Sequence, residues 1–384
     1  MMGHAAILLS LGHLLNDFYC NFLPILLPLI MPRLGLSLTL SGLLIMVLSI
    51  TSNLLQPVFG YLMDKHNFSR LLLPVIPFGA ICICSIGFIQ TRFMLFLLIA
   101  LTGLSVSAFH PLGSTLAAKS ARKSAQGSTM SYYIAGGNLG YAFAPILLVA
   151  FTQTFSLTQL PWLIVPSLLL SILYARSHLT DITTVPDHLP AAPPRLREVF
   201  TNRTVLKLNL AMGFRCWTHV SVSTFLPLLL IGAGYSALSS GSLLTLFLIG
   251  CTVGGLIGGY LGDRLSHKKI IVASLALGIL PVWYFFTHAG TAPLSLAALF
   301  LAGACLLAPQ PSSVVWAQKM MPANAGMASG MMMGLSFGLG SIGAALTAAL
   351  ADWIGLPAAL LLTTCPLIIS AILAALTPYP DETA

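Results

Sequence analysis

Charged residues are scarce in this chain. Asp, Glu, Lys and Arg together make up 7% of its 384 residues, whereas 57% of the residues are hydrophobic. Soluble domains carry about 25% charged residues. The chain therefore has too few charges to build a water-facing surface, which excludes a soluble globular protein. We predict an all-α integral membrane protein with most of its length in lipid.

Features that would indicate an enzyme are also missing. The sequence contains no His-Glu-x-x-His or Gly-x-Ser-x-Gly motif, no carboxylate pair inside an apolar run and no nucleotide-binding loop. These absences argue against a membrane-embedded enzyme and against direct coupling to ATP. No loop or tail is long enough for an appended soluble domain, so a sensor or scaffold is only an alternative of another class.

The sulfur-containing residues do not form a metal-binding pattern. All seven cysteines fall in apolar runs, without the spacing of a disulfide framework or a zinc site. Three consecutive methionines at 331–333 cannot point the same way on a helix, which argues against a copper cluster. We predict buried thiols that act as small apolar residues, no bound metal and no cofactor.

Twelve apolar windows are long enough to cross a bilayer, which takes about 20 helical residues. The N-terminal stretch "MMGHAAILLS" has no Lys or Arg before its apolar part and no small-residue cleavage site, so the first window is predicted to be a retained span. The windows lie near 5–31, 39–63, 71–90, 93–117, 126–152, 160–176, 205–232, 239–262, 270–288, 292–317, 324–350 and 357–377.

The Lys and Arg residues fall mainly on one side of the membrane when the windows are threaded alternately. Because cytoplasmic loops carry the excess of positive residues, we predict that both termini are cytoplasmic. The net charge of +8 is then a consequence of topology, and no nucleic-acid partner is expected. Arg33 and Arg92 fall on the opposite side and Arg215 inside a window, while the other fourteen are Lys65, Arg70, Lys119, Arg122, Lys123, Arg176, Arg195, Arg197, Arg203, Lys207, Arg264, Lys268, Lys269 and Lys319.

The two halves of the sequence resemble each other at an offset of about 200 residues. "GYLMDK" at 60–65 returns as "GYLGDR" at 259–264, and "LTGLSVSAFHP" at 101–111 aligns with "LAGACLLAPQP" at 301–311, which places His110 against Gln310. An even number of spans per repeat keeps both copies in the same orientation. We predict two parallel six-helix bundles, 1–178 and 204–384, joined by a proline-rich cytoplasmic linker at 179–203.

Several motifs carry a family resemblance. "GYLMDKHNFSR" and "GYLGDRLSHKK" resemble the Gly-x-x-x-Asp-Arg/Lys loop of the major facilitator superfamily. The stretches "HLLND", "LLQPVFGYLMDK", "FHP", "GGNLG" and "GMASGMMMGLSFGLGSIGAA" resemble the fosmidomycin resistance protein family of bacterial carriers. The resemblance implies a proton-coupled carrier of small molecules, often an exporter. The sequence departs from the family at Asn67, where Gly is usual, and at Tyr141, where the antiporter motif has Pro.

Polar residues on the first window form one stripe at i, i+3 and i+4 spacing. Such a stripe faces protein or a water-filled cavity, because it cannot face lipid. Asp17 on this stripe and Arg215 on the seventh window are the only full charges near mid-membrane. We predict that the two lie within reach of each other or of one ligand, and that protonation of Asp17 couples transport to protons. A structural ion pair is the alternative. The stripe comprises His13, Asn16, Asp17, Cys20, Asn21 and Pro24.

Further polar residues are predicted to belong to the proton-coupling and substrate cavity. His219 is either a proton relay or substrate contact, or a hydrogen-bonded packing residue, and His110 is either a cavity residue or a satisfied side chain beside the kink at Pro111. The stripe that includes Asn53 and Gln56 is explained equally well by hydrogen bonds between helices. The full set is Asn53, Gln56, His110, Asn138, His219 and Gln310.

The two signature loops are predicted to form a gate. Asp64 and Asp263 each end a helix, where a negative charge opposes the helix dipole and calls for an outside partner. We predict that the N-termini of the eleventh and fifth helices supply it and close the cytoplasmic side. The gating set is Gly60, Asp64, Lys65, Arg70, Gly259, Asp263 and Arg264.

The glycines predicted to allow close helix packing are Gly127, Gly136, Gly140, Gly330 and Gly334.

The sequence favours a secondary transporter of the bacterial inner membrane that works by alternating access. Proton-coupled efflux of a small amphiphilic molecule is the first interpretation, and proton-coupled uptake of a metabolite or metal chelate is the alternative. The expected partners are the lipid bilayer, protons and the small molecule, and the expected state is a monomer.

Overall fold

The structure is a computed structural model and describes residues 4–120, 126–185, 202–321 and 331–379. Regular structure within these ranges is helical, and twelve segments are long and apolar enough to cross a membrane. This confirms the predicted number of spans. Numbered 1 to 12, the spans are His4–Leu34, Leu38–Gly60, Ser69–Phe88, Arg92–Ala117, Tyr132–Thr154, Leu157–Arg176, Arg203–Gly232, Ala237–Gly262, His267–Thr287, Pro293–Met320, Met331–Ile354 and Leu356–Ala375.

Several spans combine more than one helical segment. Span 1 is interrupted at Asn21 and Phe22, between the helices His4–Cys20 and Leu23–Leu34. Pro24 lies in the first turn of the second piece, where a missing amide hydrogen leaves no helical bond unmade. The remaining helices are Leu38–Ser49, Gln56–Lys65, Leu72–Cys84, Arg92–Ser120, Gln126–Thr154, Val165–Arg176, Arg203–Gly232, Ala237–Arg264, His267–Thr287, Pro293–Leu307, Pro309–Met320, Ser336–Ile354, Leu356–Leu361 and Thr364–Ala375, with π-helical turns at Ile50–Leu54 and Met331–Leu335 and 3-10 turns at Ser69–Leu71, Ser85–Phe88, Leu157–Ile164 and Leu179–Asp181.

The chain divides into two compact units. The first comprises Met1–Leu29 and Val47–Ala191, and the second comprises Ile30–Met46 and Ala192–Ala384. The boundary at residue 191 falls inside the predicted linker at 179–203, of which residues 186–201 lie outside the described ranges. The segment Ile30–Met46 groups with the second unit by its contacts, and the predicted bundles 1–178 and 204–384 stay a prediction.

Contacts at the start of span 2 explain this assignment. The carboxylate of Asp352 accepts hydrogen bonds from the backbone amides of Leu38 and Thr39 at 3.1 and 2.9 Å, and from the Thr39 hydroxyl at 2.5 Å. These amides belong to the first turn of a helix, which has no internal acceptor for them. Asp352 therefore acts as a cap supplied by span 11, and it ties the start of span 2 to the second unit.

The packing of helices repeats between the two units. Span 1 packs on span 5 in the first unit as span 7 packs on span 11 in the second, and span 3 packs on span 4 as span 9 packs on span 10. Gly136 and Gly140 lie directly against the backbone of span 1, where an added Cβ would overlap the carbonyl groups of Ser10 and Leu14. Small residues let helix backbones approach closely in lipid. Of the other predicted packing glycines, Gly334 lies in the π-helical turn of span 11, Gly127 lies in the helix Gln126–Thr154, and Gly330 lies outside the described residues.

The turn after span 2 accounts for one departure from the family motif. The side-chain oxygen of Asn67 accepts hydrogen bonds from the backbone N–H and hydroxyl of Ser69, at 3.1 and 2.7 Å, and from the backbone N–H of Thr184 at 3.1 Å. The Thr184 hydroxyl in turn bonds to the backbone of this same turn. A glycine could not make these bonds, so Asn67 holds the start of the linker against the first unit.

Candidate functional site

Asp17 lies at the centre of a polar cluster in the first unit. One carboxylate oxygen, Oδ2, lies 3.2 Å from Nε2 of His13, and the other, Oδ1, lies 3.5 Å from Nε2 of His110. Asn16 donates a hydrogen bond to Oδ1 at 2.9 Å. His13 and Asp17 come from successive turns of span 1, and His110 comes from span 4. The carboxylate is 18% exposed, so it is largely enclosed without being sealed.

The orientation of His13 has a consequence for protons. Its Nδ1 lies 2.7 Å from the backbone carbonyl of Tyr133 on span 5. A carbonyl oxygen can only accept a hydrogen bond, so Nδ1 carries the hydrogen and Nε2 is the atom that faces Asp17. If Nε2 and the carboxylate were both unprotonated, two acceptors would face each other at 3.2 Å. The geometry is satisfied when one proton is held between His13 and Asp17.

Aromatic groups hold His13 in this position. The Tyr133 ring stacks on the imidazole with centroids 4.2 Å apart, and His110 meets it edge-on at 5.1 Å. Gly137, one turn after Tyr133, leaves the space that the imidazole fills, since a Cβ there would overlap the ring. The hydrogen-bond partner and the packing both fix which nitrogen faces Asp17.

The same cluster has the composition of a metal site. The ligating atoms of His13, Asp17 and His110 lie within 4.8 Å of one another, and two imidazoles with a carboxylate are a ligand set that divalent transition metals accept. The second nitrogen of His13 is oriented by a backbone carbonyl, as is usual for a ligating histidine. The prediction of no bound metal is not tested by this geometry and stays a prediction.

Arg215 lies at the centre of a second cluster, in the second unit. Its side chain is fully buried. Nη1 donates to the Leu306 carbonyl at 2.7 Å, and Nη2 donates to the side-chain oxygen of Gln310 and to Sγ of Cys216 at 2.9 Å. The guanidinium lies 5.8 Å from the centre of the Phe337 ring. Among the described residues of the second unit, no carboxylate lies within ion-pair distance of Arg215.

The two clusters occupy corresponding positions of the internal repeat. Gly140 meets the backbone of Leu14 as the equivalent Gly340 meets that of Cys216, so Arg215 corresponds to His13 on span 1. His110 and Gln310 are aligned on spans 4 and 10. The pair His13 and His110 in one unit therefore corresponds to the pair Arg215 and Gln310 in the other. The first pair consists of imidazoles, each of which can hold or give up a proton, whereas the second joins a guanidinium to an amide that does not ionise. The predicted proximity of Asp17 to Arg215 concerns the arrangement of the two units and stays a prediction.

Other predicted cavity residues have local partners or none. The amides of Asn53 and Gln56 donate to backbone carbonyls of their own span, at Ser49 and Ser52. Whether they line the cavity or bond between helices stays open. Asn21 donates to the carbonyl of Tyr141 on span 5 at 2.8 Å. Asn138 is exposed. The ring of His219 is buried between Phe247 and Phe337, and its Nδ1 has no hydrogen-bond partner in the part of the chain that the structure describes.

The signature loops also follow the repeat. Gly60 faces Pro111 and Gly259 faces Pro311, so equivalent glycines meet equivalent prolines in the two units. The guanidinium of Arg264 lies 4.2 Å from the centre of the Tyr260 ring. Lys65 and Arg70 are exposed, and the side chains of Asp64 and Asp263 lie outside the described part of the chain. The gating role of these loops stays a prediction.

Tyr133 and Phe337 are the site residues that the sequence did not indicate. Tyr133 acts through its backbone carbonyl, which every residue possesses, and Phe337 is one of twenty phenylalanines in an apolar chain. The one signal for Tyr133 is its position one turn before Gly137, on the face of span 5 that packs against span 1.

Comparison with protein families agrees with this architecture. The profile of the Major Facilitator Superfamily matches residues 9–340 and 233–384. The chain belongs to this superfamily. As a superfamily member it is a multi-pass membrane transporter and not an enzyme, and the resemblance read from the sequence is confirmed.

Two curated relatives of this superfamily member cover most of its length. Its alignment with the fosmidomycin resistance protein of Escherichia coli (strain K12) has 26% identity over 356 residues. This alignment covers 90% of this chain and 85% of the relative. Its alignment with the uncharacterized MFS-type transporter YfnC of Bacillus subtilis (strain 168) has 26% identity over 358 residues. This alignment covers 91% of this chain and 87% of the relative.

Solved structures show the same fold. The nucleoside transporter NupG superposes with a TM-score of 0.76 at 17% identity, covering 96% of this chain and 98% of that chain. A bacterial homolog to the human lysosomal transporter Spinster, in an inward-facing and occupied conformation, gives a TM-score of 0.77 at 13% identity, covering 97% and 96% of the two chains. The predicted major facilitator fold is confirmed.

Proposed function

We propose that this transporter exports a small amphiphilic molecule across the bacterial inner membrane in exchange for protons. The observation that carries the proposal is the contact between His13 and Asp17. Nδ1 of His13 is committed to the Tyr133 carbonyl, so a proton is needed between Nε2 and the carboxylate. A titratable pair of this kind inside a span is the usual mark of a proton pathway.

The cluster has the parts that reversible proton binding requires. Asp17 holds the proton together with His13, and His110 approaches the second carboxylate oxygen as an alternative proton acceptor. Loss of the proton leaves a negative charge in a largely enclosed site, which is costly in a low-dielectric surrounding. Proton binding therefore changes the relative free energies of conformations in which the cluster is open to one side or the other.

Export is supported by the relatives. A curated relative that covers 90% of this chain is a fosmidomycin resistance protein, and a transporter that confers resistance removes a compound from the cell. Uptake is the second candidate, because Tyr141 stands where the antiporter motif of span 5 has Pro.

The test follows protons in everted membrane vesicles with a pH-sensitive dye. A panel of amphiphilic antibiotics, phosphonates and metal chelates is added to vesicles that contain wild type, Asp17→Asn or Asp181→Asn. Asp181 is the matched control, because its carboxylate is 70% exposed, lies outside the spans and also contacts a histidine, His178, at 2.9 Å. We expect proton release with wild type and Asp181→Asn and none with Asp17→Asn.

Two results would contradict this proposal. Proton release by Asp17→Asn at the wild-type rate would show that Asp17 does not carry the coupled proton. Proton movement in the opposite direction with a panel compound would replace export by uptake.

A further inference from the structure

The strongest unexplained feature of the second unit is a positive charge in an apolar surrounding. Arg215 is fully buried within span 7, and its guanidinium carries a positive charge. Burying an ion is costly unless an opposite charge and hydrogen bonds compensate. The described partners of its guanidinium are a carbonyl, an amide oxygen and a thiol, and none of them carries a formal negative charge.

The hydrogen bonds around this charge are also incomplete. Within the described ranges, Nε of Arg215 has no hydrogen-bond partner, and neither has Nδ1 of His219 one turn further along the helix. Both side chains contact the Phe337 ring, at 5.8 Å from the guanidinium and 5.9 Å between ring centroids. Buried polar atoms without partners are rare in folded proteins. Two such atoms beside one aromatic ring indicate a site that is completed by another molecule.

Gln310 is the part of this cluster that a ligand can replace. Its side-chain oxygen accepts from Nη2 of Arg215, and its amide makes only a long contact of 3.4 Å with the Met332 carbonyl. Gln310 is half-buried, whereas Arg215 is sealed. An anionic oxygen in place of the amide oxygen would keep this hydrogen bond and add the attraction between opposite charges.

We propose that Arg215 and Gln310 form the recognition site for an anionic group on the transported molecule, with Phe337 beside its apolar part. The ligand class is an amphiphilic organic anion such as a phosphonate or a carboxylate. This inference rests on the proposed transport function and specifies its substrate. It also gives the repeat a division of labour, because the titratable pair in the first unit binds protons and the positive charge in the second binds the anion.

A purely structural role for Arg215 makes a different prediction. The Leu306 carbonyl lies next to the break at Ala308, where Pro309 lacks an N–H, and Arg215 could simply satisfy that carbonyl. In that case neither the charge of a ligand nor the charge at position 310 would affect binding, provided that the fold is intact.

Gln310→Glu separates the two roles. The substitution is isosteric and places a carboxylate of the protein itself on the guanidinium, so the fold is retained while the site is filled. Gln310→Met is the matched control, because it removes the amide without adding a charge. Purified wild type and both variants are placed in phosphatidylcholine nanodiscs. Binding of octylphosphonate, octanesulfonate and decanoate, each paired with its neutral ester, is measured by isothermal titration calorimetry.

We expect wild type and Gln310→Met to bind the anions about 10- to 100-fold more tightly than the esters, which is the range for hydrogen bonds to charged groups. Gln310→Glu should lose this preference and keep its thermal denaturation midpoint. Equal binding of anion and ester by wild type, no binding of any anion in the panel, or an unchanged preference in Gln310→Glu would overturn the proposal. The calorimetric binding measurement involves no proton gradient, so it tests anion recognition separately from proton coupling. If wild type prefers the anions but shows no coupled proton release in vesicles, only the proposed proton coupling is contradicted.

Discussion

At the scale of single residues, His13 and His110 are predicted to differ in importance. His13 lies 3.2 Å from the Asp17 carboxylate and is held there by the Tyr133 carbonyl, whereas His110 lies 3.5 Å away. We expect His13→Asn to slow substrate-dependent proton release by about 100-fold, the lower range for loss of a positioned proton acceptor or donor. His110→Asn should have a smaller effect.

The dye assay in everted vesicles measures both rates, with His178→Asn as the control. His178 also contacts an aspartate, but its side chain is 89% exposed. If His13→Asn and His178→Asn release protons at the same rate, His13 does not take part in proton transfer.

The sequence predicted part of this cluster, and the limit is physical. His13 and Asp17 are four residues apart, so helical geometry alone places them on one face. The contact with His110 joins residues 93 positions apart, and it depends on how spans 1 and 4 pack. The Tyr133 carbonyl could not be predicted, because a backbone acceptor has no sequence signature. The sequence also predicted that Asp17 and Arg215 lie within reach of each other or of one ligand, and this stays a prediction.

At the scale of helices, the contact between spans 1 and 5 depends on Gly140. An added Cβ there would overlap the Leu14 backbone, which cannot move without displacing the helix that carries Asp17. We expect Gly140→Ala to destabilise the protein by about 1–3 kcal/mol, the usual cost of overpacking. Thermal denaturation in detergent measures the loss.

Gly255→Ala is the control for this substitution. Its added Cβ would have the Leu307 carbonyl 3.9 Å away, which is an ordinary contact, so the helix propensity of alanine is expected to leave stability unchanged or slightly raised. Equal denaturation midpoints for the two alanine variants would show that spans 1 and 5 do not depend on close backbone contact.

The spans themselves were predictable because lipid leaves the backbone few options. Every N–H and C=O inside the bilayer needs an internal partner, so a long apolar run becomes a helix. The interruption of span 1 at Asn21 and the π-helical turn at Ile50–Leu54 were not predicted. The Asn21 side chain donates to the Tyr141 carbonyl of span 5, and such a contact with a distant span has no signature in an apolar run. The grouping of Ile30–Met46 with the second unit likewise depends on contacts with distant residues, among them the Asp352 cap and the close approach of Gly42 to Ala348.

At the scale of the whole molecule, the distribution of basic residues predicts the topology. His178 follows span 6 on the side predicted to be cytoplasmic, and Thr91 lies between spans 3 and 4 on the opposite side. Both are exposed. We expect a membrane-impermeant maleimide to label Thr91→Cys in right-side-out vesicles and His178→Cys in everted vesicles, in a background where the exposed Cys365 is Ser. The reverse pattern would place both termini outside the cytoplasm.

The repeat makes the last prediction, because each unit carries its own cluster at equivalent positions. If the first binds protons and the second binds an anion, one function should be lost without the other. We expect Asp17→Asn to keep its preference for octylphosphonate over the neutral ester in nanodiscs while coupled proton release is lost.

Gln310→Glu should show the opposite behaviour. It should keep the carboxyl infrared band that reports protonation of Asp17, identified by its absence in Asp17→Asn, while anion binding is lost. If either substitution abolished both properties, protons and substrate would share one site. The asymmetry between His13 with His110 and Arg215 with Gln310 would then require another explanation. If anion binding and proton binding separate, each half of the duplicated fold has its own function. Both halves then share the same helix packing and differ in the polar side chains of spans 1 and 4 and of spans 7 and 10.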